Sequence, residues 1–245
     1  DLSGRHLKVI PLEIIELKNL THLNLSYNQI SVISSEVMEL VNLTFLYLSS
    51  NQIKIIPSDI SKLVNLLELH LSLNQISVIP SDVSKLVNLQ VLNLSSNQIS
   101  EIPSDVSKLK NLQVLNLYSN QISVIPSEIM ELVNLQNLYL SNNQISVIPS
   151  DVSKLVNLQN LYLSNNQISE IPLGVNQDIL YVSGNPISNK SPEKNHALLE
   201  LGKELKTHIK DVPTGDVEAL SSWIKHPLNR DKLLTVTKLD LSGRH

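Results

Sequence analysis

The 245-residue chain has no cysteine, one tryptophan and one phenylalanine, and aromatic residues make up only 3% of it. Without cysteine there is no disulfide framework, zinc ribbon, thiol nucleophile or thioester intermediate. No apolar run approaches the roughly 18 residues that a bilayer-crossing helix needs, which predicts no membrane insertion. No initiator methionine or signal-like segment opens the chain, and a soluble piece of something is expected. Excess basic charge is missing too. Against 19 Lys and Arg stand 23 Asp and Glu, a net charge of −4, which argues against a nucleic-acid or anionic-lipid surface. With 42% hydrophobic residues at so low a net charge, wholesale disorder is excluded as well.

What the chain has instead is repetition. Asn28, Asn51, Asn74, Asn97, Asn120, Asn143 and Asn166 follow one another at intervals of 23 residues without a slip. Asn19, Asn42, Asn65, Asn88, Asn111, Asn134 and Asn157 form a second series of the same period. The pattern around the first series is L-x-x-L-x-L-x-x-N-Q-I-x-x-I-P, seen in full from Leu89 through Leu92, Leu94, Asn97, Gln98, Ile99 and Ile102 to Pro103. A weaker first copy has Arg5 where asparagine is expected, and a shortened last copy, residues 180–187, ends in Gly184, Asn185, Pro186 and Ile187. In these motifs residues 1–187 resemble the leucine-rich repeat family, in its 23-residue type known from bacterial and Ras-group leucine-rich repeat proteins. The resemblance implies an α/β, right-handed, curved solenoid of about nine repeats. It implies a parallel sheet on the concave face, short helical or 3₁₀ segments on the convex face, and a helical C-terminal cap.

Elementary patterning agrees. Leu92 and Leu94 alternate with Val91, Asn93 and Ser95, so one side of a short strand enters a core and the other faces water. In the second half, Pro80 and Ser81 predict a capped start to one or two helical turns, with Val83 and Leu86 facing inward. Acids at Asp59, Asp82, Asp105 and Asp151 precede Lys62, Lys85, Lys108 and Lys154 by three residues, the spacing of a solvated helical face. The first asparagine series reads as scaffold: an amide both donates and accepts, and suits a turn between strand and return segment.

Function must then lie in what differs between repeats at the outward strand positions. One such column reads His22, Phe45, Glu68, Val91, Val114, Asn137, Asn160 and Ile179. The next reads Asn24, Tyr47, His70, Asn93, Asn116, Tyr139, Tyr162 and Tyr181. A third column is serine throughout except for Tyr118, with Tyr27 one residue beyond it. Every tyrosine and the phenylalanine therefore fall on this face. Strand propensity alone also favours aromatics. The core columns contain none, however, and tyrosine is a favoured recognition side chain with large area and few rotors. A protein-binding face is expected, with His22, Tyr27, Phe45, Tyr47, Glu68, His70, Tyr118, Tyr139, Tyr162 and Tyr181 as its contact residues. Glu68 and His70 can meet across two positions of one strand, but no second acid joins them. No catalytic constellation, metal-spaced histidine pair, cofactor motif or phosphate-binding glycine loop occurs, so the chain reads as a non-enzyme without metal or cofactor.

After the repeats the texture changes. Ser191, Pro192 and Glu193 predict a helix start, and Leu198, Leu201, Leu205 and Ile209 form one stripe, giving a capping helix within 188–212. Asp216 can cap a second helix carrying Val217, Leu220, Trp223 and Ile224. Residues 240–245 repeat residues 1–6 identically, so 213–245 reads as the helix and strand that would lead into another repeat domain. Two expectations follow for 213–245: that it folds back on its own C-terminal cap, or that it docks on the first repeat of another molecule in head-to-tail self-association. The main expectation is a module that binds a protein partner. Its alternative is a sensor or scaffold segment of a larger protein, a Roco-like GTPase or a bacterial effector, whose face acts in cis. Cysteine-free caps, and glycosylation sequons at Asn24 and Asn93 on the binding face, favour an intracellular setting over a secreted bacterial one.

Overall fold

A computed structural model describes residues 1–172, 174–187, 201–203, 205–206, 209–214 and 217–225. Eight strands build a single parallel sheet in chain order: β1 (His22–Asn24), β2 (Phe45–Tyr47), β3 (Glu68–His70), β4 (Val91–Asn93), β5 (Val114–Asn116), β6 (Asn137–Tyr139), β7 (Asn160–Tyr162) and β8 (Leu180–Tyr181). The register never shifts from β1 to β7, so Phe45 sits opposite Glu68 and Tyr139 opposite Tyr162. A parallel pair needs a crossover between its strands. Here each crossover is the second half of a repeat, and it carries a five-residue 3₁₀ turn such as Ser81–Lys85, shortened to Gln177–Ile179 before β8.

Each strand is short because only its central leucine must enter the core. Leu46, Leu69, Leu92, Leu115, Leu138 and Leu161 are essentially buried, and the residues on either side of each are half-exposed. A second leucine two places on (Leu48, Leu71, Leu94, Leu117, Leu140, Leu163), an isoleucine after the asparagine, and a Val or Ile with a Leu from the 3₁₀ turn complete each core layer. No repeat can bury these side chains alone, so the layers stabilise one another as neighbours. At the first copy Leu2 donates its N–H to Asn24 O at 2.8 Å and Gly4 donates to Ser26 O at 3.0 Å, which adds one more row to the sheet edge.

The return turns differ from their sequence expectation in one respect. Ser81 does not cap: the residue at the cap position is Pro80, extended at φ −68°, ψ 147°, and no side chain accepts a bond there. The same holds at Pro57, Pro103, Pro126 and Pro149. In so short a turn the backbone satisfies itself, as Val83 N donates to Pro80 O and Leu86 N to Val83 O, both at 3.1 Å. Three residues per turn also bring Val83 and Leu86 onto one side, which suits a single apolar contact line. The Asp–Lys pairs at the i, i+3 spacing do form, Lys85 to Asp82 at 2.7 Å and Lys154 to Asp151 at 2.6 Å.

The strand turns into the return segment at a left-handed residue in every coil. Tyr27, Ser50, Leu73, Ser96, Ser119, Asn142 and Asn165 all lie at φ 54–58°, and glycine takes this place at the two ends, Gly4 and Gly184. The next residue is the first-series asparagine. Asn120 donates through Nδ2 to Leu94 O at 3.0 Å, to Leu117 O at 3.1 Å and to Tyr118 O at 3.4 Å, and its Oδ1 accepts from Ile99 N at 2.9 Å. It thus satisfies the backbone of its own turn and of the preceding coil. Asn28 fills the gap left by Arg5, accepting from both Arg5 N and Leu7 N. The second series works at the opposite end of the strands, where Asn111 donates to Val87 O at 2.9 Å and Asn134 to Lys110 O at 2.8 Å.

The chain divides into two compact units, the solenoid and a smaller one that includes the residues from 187 onward. In the smaller unit residues 201–203 and 205–206 are helical, and α1 (Val217–Lys225) follows. Leu205, Ile209, Val212 and Leu220 form its buried cluster, with Leu201, Trp223 and Ile224 packed against it. The expected helix start at residues 191–193, and the segment 226–245 that carries the copy of residues 1–6, lie outside the described residues.

Candidate functional site

The pleat sends the two outer residues of each strand away from the core, and the unshifted register lines them up into rows. Aromatic rings in adjacent strands therefore meet face to face. His22 stacks on Phe45 with centroids 4.3 Å apart, and Tyr47 stacks on His70 at 4.8 Å. Phe45 and Tyr47, on one strand, stand parallel at 6.5 Å. Farther along the sheet Tyr139, Tyr162 and Tyr181 form a continuous stack with spacings of 4.7 and 4.5 Å. These spacings match the distance of about 4.8 Å between strands, so the sheet itself sets the stacking.

The contact residues expected from the sequence thus fall into two clusters. His22, Phe45, Tyr47, Glu68 and His70 gather on β1 to β3, and Tyr139, Tyr162 and Tyr181 on β6 to β8. Between them the two aromatic columns carry Val91, Asn93, Val114 and Asn116. Tyr118 lies nearer the second cluster, and its hydroxyl oxygen accepts from Asn142 Nδ2 at 2.7 Å. Tyr27 stands apart, 69% exposed in the left-handed turn after β1.

Glu68 is the polar centre of the first cluster. Its Oε2 accepts from the Tyr47 hydroxyl at 3.4 Å and lies 3.0 Å from His70 Nε2. Desolvation, then the Glu68 charge and hydrogen bond, hold the Tyr47 hydroxyl above the ordinary tyrosine range. Desolvation also raises Tyr162, followed by its two flanking tyrosines. Both phenols therefore remain neutral donors through the physiological range. His22 takes no part in the Glu68 contact and bonds to Thr21 Oγ1 instead, at 2.9 Å. Among the described residues no group of three or more His, Asp or Glu side chains could hold a metal ion. None of the described helices is long and apolar enough to cross a membrane.

One feature escaped the sequence reading. Along the edge where the chain enters the strands runs a shallow trough lined by amides alone: Gln90, Gln113 and Gln136 beside Asn111, Asn134 and Asn157. The signal was present, since those glutamines share the 23-residue period, but strand-entry positions look like loop in a sequence.

In-register coils, an internal amide ladder and an outer face that varies from coil to coil define a solenoid repeat protein. Family models match residues 71–166 as a leucine-rich repeat region, and residues 1–53 and 157–177 as leucine-rich repeats. The chain belongs to the leucine-rich repeat family. It is similar to a leucine-rich repeat protein of Leptospira interrogans, with 41% identity and a TM-score of 0.73 over 79% of this chain and 50% of that one. The chain thus spans half the length of that relative. It is similar as well to an internalin C2 of Listeria monocytogenes, with 35% identity and a TM-score of 0.63 over 70% of this chain and 74% of that one. A third is the ectodomain of a plant membrane receptor kinase of Arabidopsis thaliana, solved in complex with Casparian strip integrity factor 2. It has 32% identity and a TM-score of 0.66, over 75% of this chain and 23% of that one. No curated protein sequence matches the chain.

Proposed function

We propose that the chain is a protein-recognition module that holds its partner against the outer face of the sheet. The observation that carries this reading is the placement of aromatic area. All six tyrosines and the phenylalanine stand on that face or its adjoining turn, and the core is built from aliphatic side chains and methionine. A fold that needed aromatics for stability would bury them. Stacked rings lose little entropy on binding, and the serine and asparagine columns beside them supply adaptable hydrogen bonds. The three outward columns hold no Lys or Arg, which suits a protein better than a nucleic acid. The receptor kinase ectodomain in complex with its factor sets a precedent for this fold.

The test uses the whole chain as bait for a displayed library of random 12-residue peptides, with affinities of the recovered peptides measured in solution. Replacing Tyr139 and Tyr162 together by alanine raises their Kd by at least about tenfold, the scale of interface aromatics, and moves the melting temperature by no more than a few degrees. An unchanged affinity overturns the site. Binding in trans also separates this reading from a face that acts only in cis within a longer polypeptide.

A further inference from the structure

We infer that Glu68 and the uncovered face of Phe45 form a subsite for a basic side chain, arginine or lysine, on an extended protein segment that lies across the strands. The inference rests on the protein-recognition reading above and names the partner's chemistry at one point of that face.

Charge is the first observation. From β1 to β8 Glu68 is the only carboxylate in the three outward columns, and no Lys or Arg stands in them to neutralise it. Its two polar contacts, with Tyr47 and His70, both use Oε2, and among the described residues Oε1 has no hydrogen-bond partner. The side chain is 32% exposed, fixed in place yet open to a ligand. Its neighbours in register are the apolar Phe45 on one side and Val91 on the other, while Tyr47 and His70 meet its Oε2, so the carboxylate is only partly open to water. A charge in that setting is screened less than one on an open surface.

The rings supply the second observation. His22, on β1, covers one face of Phe45, and the opposite face looks towards β3, where Glu68 is the register partner. Tyr47, 6.5 Å away, stands beside Phe45 along its own strand, and no ring of β3 stacks on Phe45 among the described residues. An anion beside an open aromatic face is the arrangement that attracts a cation with an apolar stem: the ring takes the stem or the charge, and Oε1 takes an N–H.

Spacing gives the third. From Glu68 on β3 to Tyr139 on β6 is three strand steps, about 14 Å, and to Tyr181 on β8 five steps, about 24 Å. An extended segment rising about 3.3 Å per residue covers those distances in about four to seven residues. The partner segment therefore carries its basic residue about four to seven positions from the aromatic or aliphatic residue that rests on the tyrosine stack.

The same 12-residue peptide library, selected on the full chain, tests this. Recovered peptides are expected to carry Arg or Lys at that spacing from an apolar residue. Changing that basic residue to glutamine should weaken binding to the parent chain by about tenfold, and to the Glu68→Gln chain by less than about twofold. Peptides that lack a basic residue, or an equal loss on both chains, overturn the inference. If peptides bind through Tyr139 and Tyr162 but are indifferent to Glu68, the subsite falls and the recognition face stands. Recovery of no peptide overturns both.

Discussion

At the scale of the residue, the left-handed position after each strand shows what the fold tolerates and what it pays for. Asparagine adopts φ near +55° at little cost, serine at more, and a bulky side chain at roughly 1–2 kcal/mol. Leu73 sits there at φ 55° and is 56% exposed, so it gains little burial to offset the strain. Leu73→Asn should therefore stabilise the chain by about 0.5–1 kcal/mol in denaturant titration. A loss of stability would mean that Leu73 packs better than its exposure implies. Gly184 marks the opposite case. A Cβ there would collide with Asn165 Oδ1, so besides the positive φ of 72° a substitution has to displace the Asn165 side chain, and glycine avoids both costs. None of this could be read from the sequence, because Ser, Tyr, Leu and Asn share no propensity that announces a positive φ; the constraint comes from the repeat's geometry.

At the scale of the element, the two asparagine series look alike in sequence and differ in weight. Asn120 is buried and serves four backbone groups, whereas Asn111 is exposed and serves a single carbonyl. Asn120→Ala strands buried donors and acceptors and should cost roughly 3 kcal/mol, but Asn111→Ala less than about 1 kcal/mol. Equal losses in chemical denaturation would contradict this account of the ladder. Period, core columns and strand positions were all legible, because a leucine pattern repeated without a slip admits one register. The capping serine was misread, since Pro followed by Ser signals the start of an α-helix equally well. Only the five-residue length, with backbone groups satisfying one another inside it, makes a side-chain cap unnecessary. The outward columns were legible as lists, but their division into two stacked clusters was not, because stacking depends on which rings share a strand or face each other across one.

At the scale of the whole solenoid, the ladder bonds from Asn51 to Asn166 join residues a fixed number of positions apart, such as 21 for Ile99 N to Asn120 Oδ1 and 26 for Asn120 Nδ2 to Leu94 O. Removing one full period therefore joins equivalent positions and leaves each remaining coil its partners. Deleting residues 94–116 takes out β5 and connects Asn93 to Leu117, which keeps the leucine columns in phase. The shortened chain should fold cooperatively, with a modest loss of stability, since one core layer and one interface are gone. Its tyrosine stack would lie one strand closer to Glu68. The molecule is in effect a ruler graduated in steps of about 4.8 Å, with a charged mark at one point and an aromatic mark at another. Adding or deleting coils moves the marks without redrawing them. Peptides selected on the shortened chain should accordingly place their basic and apolar residues about one to two positions closer together than those selected on the parent.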